Sequence, residues 1–227
     1  MVLSLKKTNF KKMEIWFLRH GETEWNRAKR IQGSTSYTDL TEFGIKLAEY
    51  TRDGMIASGV RFDRIFTSPY RRAAHTAEII ASAFNIKVEH EDLLKELSFG
   101  EYEGTEYGKG KFLDDNIEAL FEHPEDYRAR GSGETLESLR LRAHKFITKA
   151  LNLEAQGAER ILAVSHGAFM RSVVQLATGA DIADFWEGPQ PNCAVHVISA
   201  FSQNDITLVS RARTFYPDDI LSKTLSV

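Results

Sequence analysis

Two short runs in this chain, Ile15–Leu18 ("IWFL") and Ile161–Val164 ("ILAV"), are apolar at every position. A strand with one face in water alternates apolar and polar residues. One that is apolar throughout has both faces covered, as in a parallel sheet packed between helices. The stretches between such runs carry helical spacing. "TEFGIKLAEYTRDGMIAS" (41–58) predicts a helix, against the cost of Gly44 and Gly54 in its interior. The segment after Pro69 sets Ala73, Ala77, Ile80, Ala81 and Phe84 on one face, and residues 111–121 repeat Leu113, Ile117, Leu120 and Phe121. A longer helix from about Glu134 carries Leu136, Leu139, Ala143, Phe146, Ile147 and Ala150. Strands are expected at 14–20, 63–68, 86–92 and 160–166, a helix opens at Gly167, and "CAVHVISAF" and "ITLVSRARTF" read as two final strands. This alternation predicts a doubly wound α/β fold, a mostly parallel sheet flanked by helices on both faces.

No repeat, low-complexity linker or domain boundary interrupts the pattern, so residues 13–227 are expected to form a single domain. Residues 1–12, "MVLSLKKTNFKK", are an N-terminal extension compatible with disorder; they are basic but lack the apolar centre of a signal peptide. A net charge of −3, mixed in sign along the chain, argues against a nucleic-acid or polybasic membrane surface. No run approaches the roughly 18 apolar residues of a membrane span. The single cysteine, Cys193, excludes an intrachain disulfide framework, suits a reducing compartment and reads as a small buried hydrophobe. A cytoplasmic location is expected. The oligomeric state is left open, and a dimer is compatible with the sequence.

Three strands end in matching chemistry: 14–18 in Arg19-His20-Gly21, 63–67 in Ser68-Pro69 with Arg71 and Arg72 next, and 161–165 in His166-Gly167. Open α/β sheets bind ligands in the crevice outside the carboxyl ends of their strands, which would gather these groups on one edge. Guanidinium forks match phosphate oxygens, and backbone N–H groups at helix starts favour anions. A neutral imidazole is a competent nucleophile that forms a covalent intermediate. Together these residues read as a phosphoryl-transfer site without a metal, with phosphate and a small phosphomonoester as its ligands. Zinc is the chemical competitor, since two histidines and a glutamate could ligate it. Two arginines would repel that cation, and no His-x-x-x-His or His-Glu-x-x-His spacing is present. No cofactor is expected.

The ordered set "LRHGETEWN", Gln32-Gly33, "SPYRRAAHTAE", "LLKELSFGEYEG", "GSGET" and "VSHG" resembles the histidine phosphatase superfamily, in its phosphoglycerate mutase-like branch and the phosphatases within it. The match runs from about Met13 to about Arg213. The resemblance implies a phosphoglycerate mutase-like fold with a small helical lid at about 100–133. It implies that His20 becomes phosphorylated, that Arg19, Arg72 and His166 hold the phosphoryl group, and that Glu96 is the proton donor. Asn26, Gln32 and the backbones of Gly33 and Gly167 would line the pocket. In "SPYRRA" the family arginine directly precedes alanine, so Arg72 matches and Arg71 is its exposed neighbour. A carboxylic acid suits Glu96's place because phosphate-monoester cleavage expels an alkoxide unless an acid protonates it.

Within the family, mutases carry a tyrosine three residues after the acid and a lysine further on, where this chain has Phe99 and Tyr107. They also have a longer insertion with an arginine pair that grips a carboxylate. Here the segment between Gly104 and Gly133 is short, with Lys109, Lys111, Arg128 and Arg130 as its cations. Phe99, Tyr102, Tyr107, Phe112 and Phe121 suggest an apolar-lined mouth. A phosphatase of small phosphorylated metabolites is expected; the alternatives are a phosphoglycerate mutase, a phosphoprotein phosphatase and a non-catalytic binder.

Overall fold

The computed structural model describes residues 12–108, 110–217 and 219–220; the expected extension, apart from Lys12, lies outside them, as does Lys109. Six strands, β1 (Met13–Arg19), β2 (Arg64–Thr67), β3 (Val88–His90), β4 (Arg160–Ser165), β5 (Val195–Ser202) and β6 (Asp205–Arg213), form one sheet in the order β3-β2-β4-β1-β5-β6. β3, β2, β4 and β1 are parallel; β5 is antiparallel to β1, and β6 to β5. The helices are α1 (Glu24–Arg27), α2 (Glu42–Ala57), α3 (Arg71–Ala81), α4 (Asp115–Glu122), α5 (Leu136–Leu151) and α6 (Gly167–Thr178).

The apolar run of β1 follows from this layering. Ile15 and Phe17 join Phe146 of α5 and Phe169 of α6 in one core, while Trp16 and Leu18 join Leu47 of α2 and Ala77 of α3 in the other. Successive side chains on a strand enter opposite faces, so a strand between two helical layers has no position to spare for a polar residue. The doubly wound expectation therefore holds, with two antiparallel strands added at one edge.

Some boundaries differ from the sequence pattern for local reasons. The helix expected over 111–121 begins only at Asp115, because the Asp114 carboxylate accepts from the N–H groups of Asn116 and Ile117 and caps it. Leu113 falls before that cap and is 62% exposed. Phe84 lies past the end of α3 at Ala81. Gly44, a weakness by propensity, is a close-approach position. A Cβ there would stand 2.2 Å from the carbonyl oxygen of Glu22, so α2 docks on the loop after β1 only because position 44 carries no side chain. The segment 100–133 carries α4, which seats Ile117 and Leu120 in the core. Among the described residues no helix is long and apolar enough to cross a membrane.

Candidate active site

Sheet register assembles the floor of the site. Arg19 pairs with Ser165 and Thr67 with Val164. The ladder continues one step further, with the His20 N–H donating to the Ser165 carbonyl and the Ser68 N–H to that of Val164, each at 3.0 Å. The residues beyond these three strand ends are therefore neighbours. The His20 and His166 rings lie 5.2 Å apart, the Tyr70 ring is 5.4 Å from His166, and the Arg72 guanidinium stands 5.2 Å over Tyr70.

His20 Nδ1 lies 2.7 Å from the carbonyl oxygen of Gly21. A carbonyl only accepts, so Nδ1 carries the hydrogen and Nε2 keeps its lone pair. Burial, followed by the charges of Arg72 and Arg19, holds the His20 pKa well below the usual imidazole range. Burial, then Arg72 and His20, does the same to His166. Both rings are neutral at pH 7.

Arg72 is completely buried. Its Nη1 donates to the carbonyl of Thr35 (2.5 Å) and the hydroxyl of Thr38 (3.2 Å), and its Nη2 to the carbonyl of Gly33 (2.8 Å). Burial brings its pKa down to about 10, opposed by Glu96 and Glu103, so it stays a cation. Arg19 Nη1 donates to the carbonyl of Gln190. Both arginines still have an Nε–H to offer, and both ring nitrogens of His166 are equally free; all four atoms are buried with no hydrogen-bond partner among the described residues. Leaving a buried polar group unsatisfied costs about 1–3 kcal/mol. A neutral imidazole has one N–H, so three of these four atoms are donors that fit an acceptor-rich anion.

Glu96 stands beside this cup, and its carboxylate accepts from the N–H groups of Leu97 (2.9 Å), Ala168 (3.1 Å) and Phe169 (3.0 Å). The N-cap of α6, His166, makes no side-chain cap bond, so Glu96 caps this helix from a distant loop. Two of the helix-start N–H groups expected to await a substrate anion are thus already engaged by the Glu96 carboxylate. A Cβ on Gly167 would lie 3.7 Å from Glu96 Oε2 and 3.9 Å from Arg19 Nε, so the glycine keeps the space between acid and cation open. Asn26 Oδ1 accepts from the Thr23 N–H and hydroxyl, and Gln32 Oε1 from the hydroxyls of Thr23 and Thr38. Each of these amides keeps its NH₂ as the group it can offer.

These residues line a cavity of about 280 Å³ with Arg19, His20, Asn26, Gln32, Gly33, Arg72, Glu96 and Gly167 in its wall. The His166 ring lies beside that of His20 and is not part of this wall. The mouth is aromatic: Tyr107 and Phe121 stack at 5.5 Å, and Phe121 and Trp186 at 4.8 Å. Tyr102, expected at the mouth, is instead fully buried in the core, its hydroxyl held by Asp114 and Asn116. Phe112 stacks behind Phe121 at 5.3 Å. Of the described lid cations, Lys111 pairs with Glu106, Arg130 with Asp114, and Arg128 donates to the carbonyls of Glu125 and Tyr127. Arg171 and Trp186, which the sequence pattern did not single out, also line the cavity, with the guanidinium 5.1 Å over the indole. Arg171 sits four residues after Gly167, one helical turn along the same face, and that spacing was the available signal.

Other sequence expectations find their places away from the cavity. Arg71 is exposed and pairs with Asp39 at 2.6 Å. Cys193 is buried, and burial pushes its thiol up to about 12, which suits a packing role. Trp25 packs near Gly104 and edge-on to Tyr37. His75 faces Asp39, and His196 accepts from the Ala212 N–H. Among the described residues no group of three or more His, Cys, Asp or Glu could hold a metal ion.

The neutral histidines make folding pH-dependent. His20, His166 and His196 all have folded-state pKa values below the unfolded one, that of His196 brought down by burial to about 3. Such groups favour the fold fully above the unfolded imidazole value of about 6.5 and lose that contribution as the pH falls below it, because only the unfolded chain takes up the protons. Urea denaturation between pH 7 and 5 is expected to show stability falling by about 2 kcal/mol in all for each such histidine, the slope steepening toward about 1.4 kcal/mol per pH unit below pH 6. A flat profile would contradict the neutral assignments.

Comparison with known proteins agrees with this geometry. The family model of the histidine phosphatase superfamily (branch 1) matches residues 15–212. The phosphoserine phosphatase 1 of Hydrogenobacter thermophilus is 29% identical over 198 residues, 86% of this chain and 90% of the relative. A probable 2-carboxy-D-arabinitol-1-phosphatase of Arabidopsis thaliana is 30% identical over 193 residues, 84% of this chain but 39% of that longer protein. A probable phosphoglycerate mutase of Klebsiella pneumoniae is 30% identical over 177 residues, 74% of this chain and 75% of the relative. The crystal structure of phosphoserine phosphatase from Entamoeba histolytica in complex with 3-phosphoglyceric acid superposes with a TM-score of 0.75 at 25% identity, covering 89% of this chain and 98% of that one. The chain belongs to the histidine phosphatase superfamily. The phosphatase expectation agrees with most of these names, and the mutase alternative with one.

Proposed function

We propose that the protein is a cytoplasmic, single-domain phosphomonoester hydrolase that works through phospho-His20 and acts on small phosphorylated carboxylic acids. The observation that carries the hydrolase reading is the pair of buried guanidinium Nε–H groups with no partner among the described residues, on Arg19 and Arg72, in the same cavity wall as the free Nε2 of His20, with the unpartnered His166 ring 5.2 Å from that of His20. A phosphoryl group in this cup meets fixed positive charge that needs no reorganisation as the transition state forms. His20 Nε2 attacks phosphorus, the P–N bond forms as the P–O bond breaks, and the leaving oxygen takes a proton from Glu96. That proton arrives on a monoanionic ester, and the proton Glu96 later takes from water leaves with the departing phosphate, so the carboxylate is restored at the end of the cycle. Glu96, again a carboxylate, then removes a proton from water; the hydroxide attacks phospho-His20, the P–N bond breaks, and phosphate leaves.

The carboxylate preference rests on Arg171. This cation is stacked on Trp186 at the cavity wall, with burial, then Arg19 and Arg211, bringing its pKa down to about 10. Its Nη groups donate to the carbonyls of Glu187 and Gly188, which satisfy donors without neutralising the charge. Phosphoserine and 3-phosphoglyceric acid, the molecules named with the relatives, both carry a carboxylate beside the phosphate. The test is a phosphomonoester panel that includes phosphoserine, 3-phosphoglycerate, 2,3-bisphosphoglycerate and carboxylate-free alkyl phosphates. Release of phosphate is expected from all, with kcat/KM highest for the carboxylates. Arg171→Gln is expected to cut that advantage by about 10- to 100-fold, mostly in KM. Net transfer between the two phosphoglycerates with little phosphate release would favour the mutase.

A further inference from the structure

Glu103 is the second glutamate of the "FGEYEG" stretch, 7 positions after Glu96, and lies outside the cavity wall. Its Oε1 accepts from the backbone N–H of Ser34 (2.7 Å), the hydroxyl of Ser34 (2.7 Å) and the N–H of Phe99 (3.2 Å); its Oε2 accepts from the hydroxyl of Thr35 (3.3 Å). The chain wraps this carboxylate closely. Gly33 has φ +50°, and a Cβ there would stand 2.4 Å from Glu103 Oε1 and 2.8 Å from the Phe99 ring. The turn so held is the one whose carbonyls, on Gly33 and Thr35, take the two Nη groups of Arg72.

We propose that Glu103 is a positioning residue for the phosphate cup: its carboxylate fixes the 33–35 turn, and the carbonyls of that turn aim Arg72 at the phosphoryl group. The inference rests on the hydrolase reading above. It also couples the lid to the cup, because Glu103 belongs to the segment that leads into α4, while the turn belongs to the loop after α1. A carboxylate suits the place because all four groups bonded to it, from Ser34, Thr35 and Phe99, are donors. A displacement of about 1 Å at a charged catalytic contact costs about 100-fold in rate, so the alignment of Arg72 is where a loosened turn would be felt.

The experiment is a double-mutant cycle on the full chain, read by inorganic phosphate binding and by p-nitrophenyl phosphate turnover. Glu103→Ala is expected to weaken phosphate binding and lower kcat/KM by about 10- to 100-fold. In an Arg72→Ala background the same substitution should change both by less than about 2-fold, since the turn then has nothing to aim. Glu103→Gln keeps an acceptor for Ser34 and Phe99 and presents an amide that the Thr35 hydroxyl can receive. It is expected to stay within about 5-fold of wild type. Equal losses from Glu103→Ala in both backgrounds would overturn the proposal, as would full activity in that variant. Should Glu103→Ala fail to fold, Glu103→Asp, which withdraws the carboxylate from Ser34, replaces it in the same cycle: a loss confined to the Arg72 background supports the positioning role, and equal losses in both backgrounds overturn it. A wild-type protein that neither binds phosphate nor turns over, or an Arg72→Ala variant equal to wild type, would instead count against the hydrolase reading.

Discussion

Replacing His20 with alanine is expected to lower phosphate release by about 10⁴-fold or more while phosphate binding persists, because the nucleophile goes and the cationic cup stays. The wild-type protein quenched during turnover should carry acid-labile, base-stable phosphate on His20, and the variant none. His166 is the rival nucleophile, with its ring 5.2 Å from that of His20. Two features favour His20. Its Nδ1–H is tied to the Gly21 carbonyl, which leaves Nε2 as the lone pair, whereas neither nitrogen of His166 has a partner to set its tautomer. His20 also lines the cavity and His166 does not. His166→Ala should therefore slow the reaction and still yield phospho-His20. Label on His166, or more than about 1% residual turnover in His20→Ala, would reverse the assignment.

That three strand ends converge is legible in the sequence, and the reason is physical. Each of His20, Arg72 and His166 follows an apolar run that marks a buried strand, and a parallel sheet aligns the carboxyl ends of its strands. The residues that escaped notice are set by contacts without a sequence period. Trp186 and Gln190 lie in the loop after α6, whose path depends on tertiary bonds such as Gln190 Nε2 to the Gly167 carbonyl (3.0 Å) and Arg171 to that of Glu187 (2.8 Å). The Glu96 cap on α6 spans 72 residues at Ala168, whereas the capping signals that sequence carries are local. Aromatic residues of the lid could be named as a group but not sorted, because whether Tyr102 or Tyr107 meets the cavity depends on which of them Asp114 and Asn116 hold in the core.

Glu96→Gln is expected to separate esters by leaving group. Alkyl phosphates such as phosphoserine should slow by about 10²- to 10⁴-fold, since their alkoxide cannot depart unprotonated, while p-nitrophenyl phosphate should slow by less than about tenfold. The variant also disturbs the cap on α6. Glutamine can keep its oxygen toward Leu97 and Phe169, but its amide then faces the Ala168 N–H, donor against donor. A loss of about 1 kcal/mol in stability is the expected consequence. The two effects part cleanly: a displaced α6 would move Gly167 and slow every ester alike, whereas a missing proton is felt in proportion to the basicity of the leaving oxygen. Steady-state rates across a series of esters with graded leaving groups measure the difference. A flat dependence in the wild type that stays flat in Glu96→Gln would remove the acid from Glu96 and leave it as the cap alone.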